Sequence, residues 1–518
     1  MSFLTLRPLA SAVLCLSLAA CGGGGDGGCS TCALLALTPS APASTATPAS
    51  PADGLPSTEN PGPATDPANP AVPVGPAVPA ENPPPAADPV NPAVPAEPGT
   101  PATGDPVPPT PSYAIGGILS GLAANTRLVL LDNGGDALTL AANGAFSFAA
   151  PIAFNTAYAV TVSTQPLWQN CSVSNGSGTV TADVSSVQVN CAAVQQAQVS
   201  TFAGSATQGS TNGTGAAASF STLIAVAVDA DGNVYVADGE NNMIRKISPA
   251  GVVTTLAGTT TRGSVDGIGA AAQFNYPSGV AVDASGNVYV GDYLNHMIRK
   301  ITPEGVVTTL AGSTTPGFID ATGTNARFNG VANLDIDASG NIYAIDVRNN
   351  VIRKITPEGV VTTLAGSTRG SADGQGTAAS FNSPSGIRVD AGGNIYIADS
   401  GNNMIRKITP EGAVTTLAGS TMPGFADGTG AAARFDMPFG VGVDASGNVY
   451  VADDGNNSIR KITPEGVVTT LAGSQTAGSA DGIGAAAQFN EPYDVTVDLD
   501  GDLYVIDGFR IRKIVPVR

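Results

Sequence analysis

The sequence predicts an all-β protein whose larger part is a six-bladed β-propeller of four-stranded blades. Two observations lead to this fold, and a third indicates that the six blades form a closed ring. First, an aspartate followed by a glycine-containing turn recurs with spacings of 54, 54, 53, 54 and 54 residues, at Asp229, Asp283, Asp337, Asp390, Asp444 and Asp498. Second, each period holds four short runs with strand character. Four strands per repeat of this length is typical of propeller blades.

The second repeat shows the four runs most clearly. Gly279–Val282 and Asn287–Val290 are apolar and β-branched, Met297–Ile301 carries Arg and Lys, and Val306–Leu310 reads Val-Val-Thr-Thr-Leu. Asp-Ala-Ser-Gly separates the first two runs and Thr-Pro-Glu-Gly the last two, and both are turn signals. We expect the chain to enter each blade by its inner strand.

The two ends of the repeat array complement each other. The inner three runs occur six times, but no Thr-Thr-Leu run follows the last set, which ends at Ile514. The missing outer strand stands ahead of the first set, at Val199–Gly204. We therefore expect this N-terminal strand to pair with the last blade, because closing the ring removes exposed sheet edges.

The first twenty residues have the pattern of a secretory signal. Arg7 precedes an apolar run that is too short to span a bilayer. Leu18-Ala19-Ala20-Cys21 then resembles the lipobox of bacterial lipoproteins, which implies that Cys21 is lipidated and becomes the new N-terminus. Gly22, in place of aspartate, implies the outer membrane. We expect an exported protein held at the outer membrane or cell surface by this lipid; the alternative is an ordinary cleaved signal, 1–20.

Residues 21–112 have the composition of a disordered tether. A glycine tract is followed by a stretch rich in Pro, Ala, Thr and acid, which cannot bury a core. Cys29 and Cys32 have the spacing of a redox motif but lack the strand–helix setting that lowers a thiol pKa. We expect them to form a passive local disulfide.

Residues 113–193 are predicted to form a small β-sandwich. Short alternating runs are separated by Asn-Gly turns. Cys171 and Cys191 are its only cysteines, and in an exported chain we expect them to pair. The module resembles the immunoglobulin-like or transthyretin-like sandwiches of bacterial surface proteins, which implies a spacer role.

Residues 199–518 carry a second resemblance. The repeated Gly-Val-x-Val-Asp-x-x-Gly-Asn-Val-Tyr-Val-Ala-Asp-x-x-Asn-x-x-Ile-Arg-Lys-Ile, as at Gly440–Ile462, resembles the NHL repeat, whose family forms six-bladed propellers. Members range from protein- and RNA-binding modules to lyases and lactonases. The resemblance therefore implies a fold and leaves the function open.

The charged residues limit the kinds of partner that the protein can bind. A net charge of −19 argues against nucleic acid as a partner, because a basic face is the usual footprint. Twelve of the 22 basic residues are Arg-Lys pairs, one pair per blade, and the aspartates recur in step with them. We expect the repeated acids to cap turns or pair with arginine. The alternative is Ca²⁺, because Asp229–Asn233 and Asp498–Asp502 resemble the start of a calcium loop without its distal glutamate.

We look for a binding site at positions where one blade has a different kind of residue from the other blades. The first inner-strand position is polar only in blades 3 and 6, in the series Ala225, Gly279, Asn333, Gly386, Gly440 and Asp494. Two residues further along stand Asp335 and Arg388, which we expect to form an ion pair beside the channel. Asn333, Asp335, Arg388 and Asp494 are therefore candidate ligand-binding residues, with Asp494 and Asp335 as metal candidates. The alternative is repeat drift with one structural ion pair.

Catalytic residues are scarce. His296 is the only histidine and occupies a position where other blades have asparagine, so we interpret it as a loop substitution. Zinc sites rich in histidine and Ser-His-Asp triads are thereby excluded unless a partner supplies residues. The favoured function is non-catalytic binding of a protein, peptide or glycan by a monomer, without a cofactor, through the end with the longer loops. A Ca²⁺-dependent lactonase or lyase and a purely structural surface protein are the alternatives.

Overall fold

The structure is a computed structural model and describes residues 110–517. The predicted signal, Cys21, Cys29, Cys32 and the tether up to residue 109 lie outside the described residues. Within them, no helix has the length and apolar character needed to cross a membrane. The helices are short 3-10 turns at Gly215–Ala217, Gly269–Ala271, Tyr293–Asn295, Gly323–Asn325, Val347–Asn349, Gly376–Ala378, Ser400–Asn402, Gly430–Ala432, Asp454–Asn456 and Gly484–Ala486.

The first module is a sandwich of two four-stranded sheets. In spatial order, one sheet contains Gly144–Ser147, Ile115–Ser120, Val184–Ala193 and Gln169–Ser174. The other contains Asp136–Leu140, Leu128–Asp132, Ala157–Thr164 and Ser177–Thr179. A further pair of short strands joins Ser112–Tyr113 to Ile152–Ala153. The module therefore begins at residue 112, one residue before its predicted start. Alternate residues of the strands point inward and form the core, and a disulfide joins Cys171 to Cys191 at facing positions of adjacent strands.

The second module is the propeller, with blades 1 to 6 in chain order. The inner strands are Leu223–Val228, Pro277–Val282, Val331–Ile336, Gly386–Val389, Pro438–Val443 and Pro492–Val497. The second strands are Val234–Asp238, Val288–Asp292, Ile342–Asp346, Ile395–Asp399, Val449–Asp453 and Leu503–Asp507. The third strands are Met243–Ile247, Met297–Ile301, Val351–Ile355, Met404–Ile408, Ser458–Ile462 and Arg510–Pro516. The outer strands of blades 1 to 5 are Val252–Gly258, Val306–Gly312, Val361–Gly366, Ala413–Gly419 and Val467–Gly473.

The ring closes as the sequence predicts. Ala197–Ala203 pairs antiparallel with Arg510–Pro516 and supplies the outer strand of blade 6. It begins two residues before the predicted start because the pairing extends as far as Pro516. Each inner strand contacts the inner strands of the two neighbouring blades, so the chain does enter every blade from the centre. The six-bladed all-β fold is confirmed.

The crossovers between blades run along the outer edge. Five of them add a short fifth strand to the blade that follows, at Gly213–Thr214, Gly267–Ile268, Gly374–Gln375, Gly428–Thr429 and Gly482–Ile483. The hairpin end of the propeller is the end that carries the Asp-x-x-Gly-Asn turns. The long-loop end is the opposite one, where the crossovers begin and finish and the second strand connects to the third.

One buried arginine in the third strand of each blade contacts the end of the second strand and the crossover. Arg299, which is fully buried, contacts Asp292 at 2.9 Å and the crossover residue Asp266 at 2.6 Å. Its guanidinium carbon lies 5.2 Å from the centre of the Phe274 ring. The equivalent arginines are Arg245, Arg353, Arg406, Arg460 and Arg512. The predicted pairing of repeated acids with arginine is confirmed.

The hairpin aspartates cap their own turns. Asp283 accepts hydrogen bonds from the backbone N–H groups of Ser285 and Asn287 and from the hydroxyl of Tyr289. Asp229 in blade 1 is bonded in the same way. The resemblance of these turns to a calcium loop therefore has a structural explanation in turn capping.

The sandwich packs on the hairpin end of blades 5 and 6. Trp168, which is buried, donates its indole N–H to the carbonyl of Gly501 at 2.8 Å, and its ring lies 6.3 Å from that of Tyr450. Ser446 donates a further hydrogen bond to the carbonyl of Ala124. The sequence analysis did not predict this contact, which leaves the long-loop end uncovered by the sandwich.

Candidate functional site

Two of the four candidate residues, Asn333 and Asp494, lie where the inner strands approach one another closely. A Cβ atom added at Gly440 would collide with the backbone of Asp494, and one added at Gly279 would lie 3.0 Å from the Cα of Asn333. Glycine is therefore required on one side of each contact. The backbone of the polar residue, and at Asp494 also its carboxylate, lies against this glycine.

Arg388 pairs with a different acid from the one predicted. Its guanidinium extends across the channel and contacts Asp494 at 3.2 Å and the carbonyl of Val226 at 2.7 Å, so that it joins blades 4, 6 and 1. The predicted Asp335–Arg388 ion pair is wrong, because Asp335 instead accepts the backbone N–H of Val389 at 2.8 Å. Burial raises the pKa of Asp335, and the charge of Arg388 opposes that effect.

The other two candidates, Asp494 and Asn333, also accept hydrogen bonds within the protein. Asp494 accepts backbone N–H groups from Val226 at 3.0 Å and from Val495 at 2.9 Å. Asn333 accepts the N–H of the next residue, Leu334, at 2.8 Å. Within residues 110–517 no group of three or more His, Cys, Asp or Glu side chains is arranged to hold a metal. The structure thus gives each candidate an internal role, and a guanidinium already lies in the channel where a cation would have to bind.

The long-loop end of the channel has a different character. Two positions of each blade surround its mouth. The first, at the start of the inner strand, is Ile224, Ser278, Ala332, Ser385, Phe439 and Tyr493. The second, after the second strand, is Gly239, Tyr293, Val347, Ser400, Asp454 and Gly508. These positions vary among blades that are otherwise nearly identical.

Four aromatic side chains stand at this mouth in two pairs, and we call them together the aromatic rim. The rings of Tyr276 and Tyr293 lie 6.3 Å apart, and those of Phe439 and Tyr493 lie 4.1 Å apart. Burial raises the pKa of Tyr493, and the nearby Tyr276, Asp454 and Tyr293 raise it further. The two ring pairs, from blades 2, 5 and 6, therefore lie close enough to influence one another.

Tyr276 stands in a turn that blades 2 to 6 share. Its φ of 59° is in the left-handed region, as are those of Ser383, Met437 and Glu491 at the same position, where blade 3 has Gly330. Asn242 of the preceding blade fixes the turn by accepting the backbone N–H of Tyr276 at 2.9 Å. The hydroxyl of Tyr276 is buried and has no hydrogen-bond partner among the described residues. Burial raises the pKa of this phenol, and Glu240 raises it further.

His296 takes the role of that asparagine in blade 2. Its Nδ1 accepts the backbone N–H of Gly330 at 3.0 Å, as the asparagine oxygens do in other blades. Burial lowers the pKa of His296, and the charge of Arg348 lowers it further, so the imidazole is neutral when it accepts this bond. The interpretation of His296 as a loop substitution is confirmed.

Sequence reasoning missed the aromatic rim because it compared only the inner-strand positions that face the channel. The signal was present in the residues just before that strand and just after the second strand. At these places blade 2 has Tyr276 and Tyr293 where blade 3 has Gly330 and Val347. Such differences are visible once the turn is known to be common to blades 2 to 6.

Comparison with known proteins supports the repeat assignment. Residues 274–301 and 381–408 match the model of the NHL repeat. Over 320 residues the chain is 28% identical to NHL repeat-containing protein 2 of Bos taurus, a match that covers 53% of this chain and 43% of that protein. Over 283 residues it is 30% identical to Protein SUPPRESSOR OF QUENCHING 1, chloroplastic, of Arabidopsis thaliana, covering 49% and 26%. The chain spans less than half the length of either relative.

A solved structure has a related fold. It is a structural genomics protein of unknown function from Bacteroides thetaiotaomicron, 21% identical in sequence, with a TM-score of 0.52. The match covers 80% of this chain and 100% of that one. At this identity the likeness concerns the fold alone. Two segments of the chain match the NHL repeat, and residues 197–516 form a six-bladed propeller.

Proposed function

We propose that the propeller is a non-catalytic binding module that holds a protein, peptide or glycan ligand at the mouth of its channel on the long-loop end. The observation that carries this proposal is the aromatic rim of Tyr276, Tyr293, Phe439 and Tyr493. Loops on a rigid scaffold commonly carry binding residues, and aromatic side chains are enriched at binding hot spots. Here the buried arginines keep the frame constant while the rim changes from blade to blade.

The buried hydroxyl of Tyr276 supports the same conclusion. It has no hydrogen-bond partner among the described residues, and an unpartnered buried polar group costs about 1–3 kcal/mol. Gly330 shows that the turn itself does not require a tyrosine. Contact with a ligand explains Tyr276 better than the folding of its blade does.

The alternatives have less support in the described part of the chain. A Ca²⁺-dependent lactonase or lyase needs several converging oxygen ligands. The two channel carboxylates instead lie near Arg388, and the only histidine bonds a backbone N–H. A purely structural surface protein would have no use for a rim that departs from the repeat.

The test is to screen the full-length protein against arrays of peptides and of glycans in three forms. These are the wild type, Tyr276→Gly, which copies the turn of blade 3, and Leu499→Ala. Leu499 is 76% exposed in a turn of the hairpin end and serves as the control. We expect ligand signals to disappear in Tyr276→Gly and to persist in Leu499→Ala. Signals of equal strength in all three forms would place the site elsewhere.

We further propose that this module is exported and lipid-anchored at the outer membrane or cell surface. The support is the sequence Leu18-Ala19-Ala20-Cys21, which lies outside the described residues. Labelled palmitate fed to producing cells should be incorporated into the wild-type protein and not into Cys21→Ser. Equal labelling of both proteins would exclude Cys21 as the site.

A further inference from the structure

Acidic side chains surround the aromatic rim. Glu240, Asp454 and Glu491 stand in the loops of the long-loop end, in blades 1, 5 and 6. The connection that holds Glu240 contains an arginine or lysine in only one blade, at Arg348. The equivalents of these two residues in the other blades are Leu294, Gly401, Gly455 and Phe509. This connection therefore has an acid in two blades, at Glu240 and Asp454, and an arginine in one, while the crossovers of the same end also carry Arg262 and Arg369.

The carboxylate of Glu240 is oriented by neighbouring groups. One of its oxygens accepts hydrogen bonds from the side chains of Gln208 and Ser221, both at 2.7 Å. The residue is nevertheless exposed, and its charge raises the pKa of the Tyr276 phenol. Asp454 has the same effect on Tyr493. The acids therefore lie within electrostatic reach of the rings.

A cationic side chain of the protein already lies over one ring of the aromatic rim. The guanidinium carbon of Arg348 lies 5.3 Å from the centre of the Tyr293 ring, although the arginine itself is exposed. A positive charge over an aromatic face gains energy from the ring quadrupole, and Arg is the residue found there most often. The geometry shows that a guanidinium reaches this face from solvent.

We propose that the rim binds the basic side chain of a peptide segment, an arginine or lysine, in the place over Tyr293 that Arg348 now occupies. This inference rests on the binding function proposed above and gives its ligand class. The aromatic face attracts the cation, and the rim carboxylates add charge complementarity, which favours association and discriminates against acidic partners. Arg348 acts as an internal competitor for the same place.

The test is calorimetric titration of the full-length protein, at about 0.15 M salt to screen diffuse attraction, with a tetra-arginine peptide blocked at both ends. We expect Tyr293→Leu to weaken its binding about tenfold, the loss of one cation–π contact. Arg348→Ala should strengthen binding by a similar factor, because it vacates the ring and removes a repulsive charge. Glu240→Gln should weaken binding, whereas Glu304→Gln, the same change on a turn at the hairpin end, should leave it unchanged.

Matched titrations with a tetra-glutamate peptide and with maltotetraose separate the possible failures. If either binds and Tyr293→Leu abolishes that binding while tetra-arginine does not bind, the rim is a binding site but the cationic class is wrong. If tetra-arginine binds all variants alike, it recognises only the overall negative charge and the inference fails. If none of the three probes binds, the cationic class is also overturned. If Tyr276→Gly still binds a ligand found on the arrays, the proposed function itself is contradicted.

Discussion

Replacing Arg299 with methionine should lower the free energy of unfolding by about 3–5 kcal/mol, the loss typical when one partner of a buried ion pair is removed. Arg299 is fully buried and its guanidinium binds Asp292 at 2.9 Å and the carbonyls of Gln273 and Val265 at 3.1 Å. Without it the carboxylate of Asp292 remains buried and uncompensated. Urea unfolding of the full chain, followed by circular dichroism, measures the loss.

The pH dependence of this variant has a definite sign. Burial raises the pKa of Asp292 to about 6 even beside Arg299, and removal of the guanidinium raises it further. Stability linked to a raised native pKa is present below the unfolded-state pKa of about 4 and is lost as the pH rises through the native value. The deficit of Arg299→Met relative to the wild type should therefore shrink toward about pH 4.

The matched control is the same chemical change at the next residue, Lys300→Met. The amine of Lys300 lies 5.5 Å from the centre of the Tyr289 ring, and the residue is only partly buried. Its loss should cost no more than about 1 kcal/mol. If Arg299→Met and Lys300→Met are equally stable, the claim that the ion pair of Arg299 stabilises the blade is wrong.

Replacing Arg388 with methionine should also cost about 3–5 kcal/mol, because Asp494 would remain buried without its counter-ion. Asp494 is only 1% exposed, and Arg388 joins it to the carbonyl of Val226 across the channel. Adding Asp494→Asn to Arg388→Met should recover much of the loss. The N–H groups of Val226 and Val495 bind different oxygens of Asp494, so the amide oxygen can still accept one of them, and no buried charge remains.

Calcium distinguishes this structural role from a metal site. If Arg388 and Asp494 only hold the blades together, the unfolding midpoint of the wild type should be the same in excess Ca²⁺ and in chelator. A ligand at 100 times its dissociation constant would add about 2.7 kcal/mol. A saturable rise that Asp494→Asn abolishes would restore the metal hypothesis for Asp494 and Asp335.

The regular parts of the fold could be predicted because each is specified locally. The third strand at Met297–Ile301 has the predicted bounds, and the closing strand at Ala197–Ala203 follows from a missing run at the other end of the array. The pairing of acids with arginines follows from their recurrence in step. These features depend on neighbours within one blade or on the count of strands, and both are visible in the chain.

The site was harder to predict because its residues come from different blades. The position of Arg388 in the repeat suggested the adjacent Asp335, but a long side chain in a narrow channel reaches the blades opposite, and it pairs with Asp494. Likewise, nothing in the linear pattern brings Tyr493 of blade 6 near Tyr276 and Tyr293 of blade 2. Trp168 was assigned to a spacer and instead packs on blades 5 and 6.

The sequence by itself therefore determined the blade count, the order of the strands, the closure of the ring and the partners of the repeated aspartates. Each follows from a period of about 54 residues and from hydrogen-bonding groups that must be satisfied nearby. Only the tertiary structure decided which exceptions to the repeat act together. Closing the ring places residues that are far apart in the chain around one channel, and their contacts depend on side-chain reach across it.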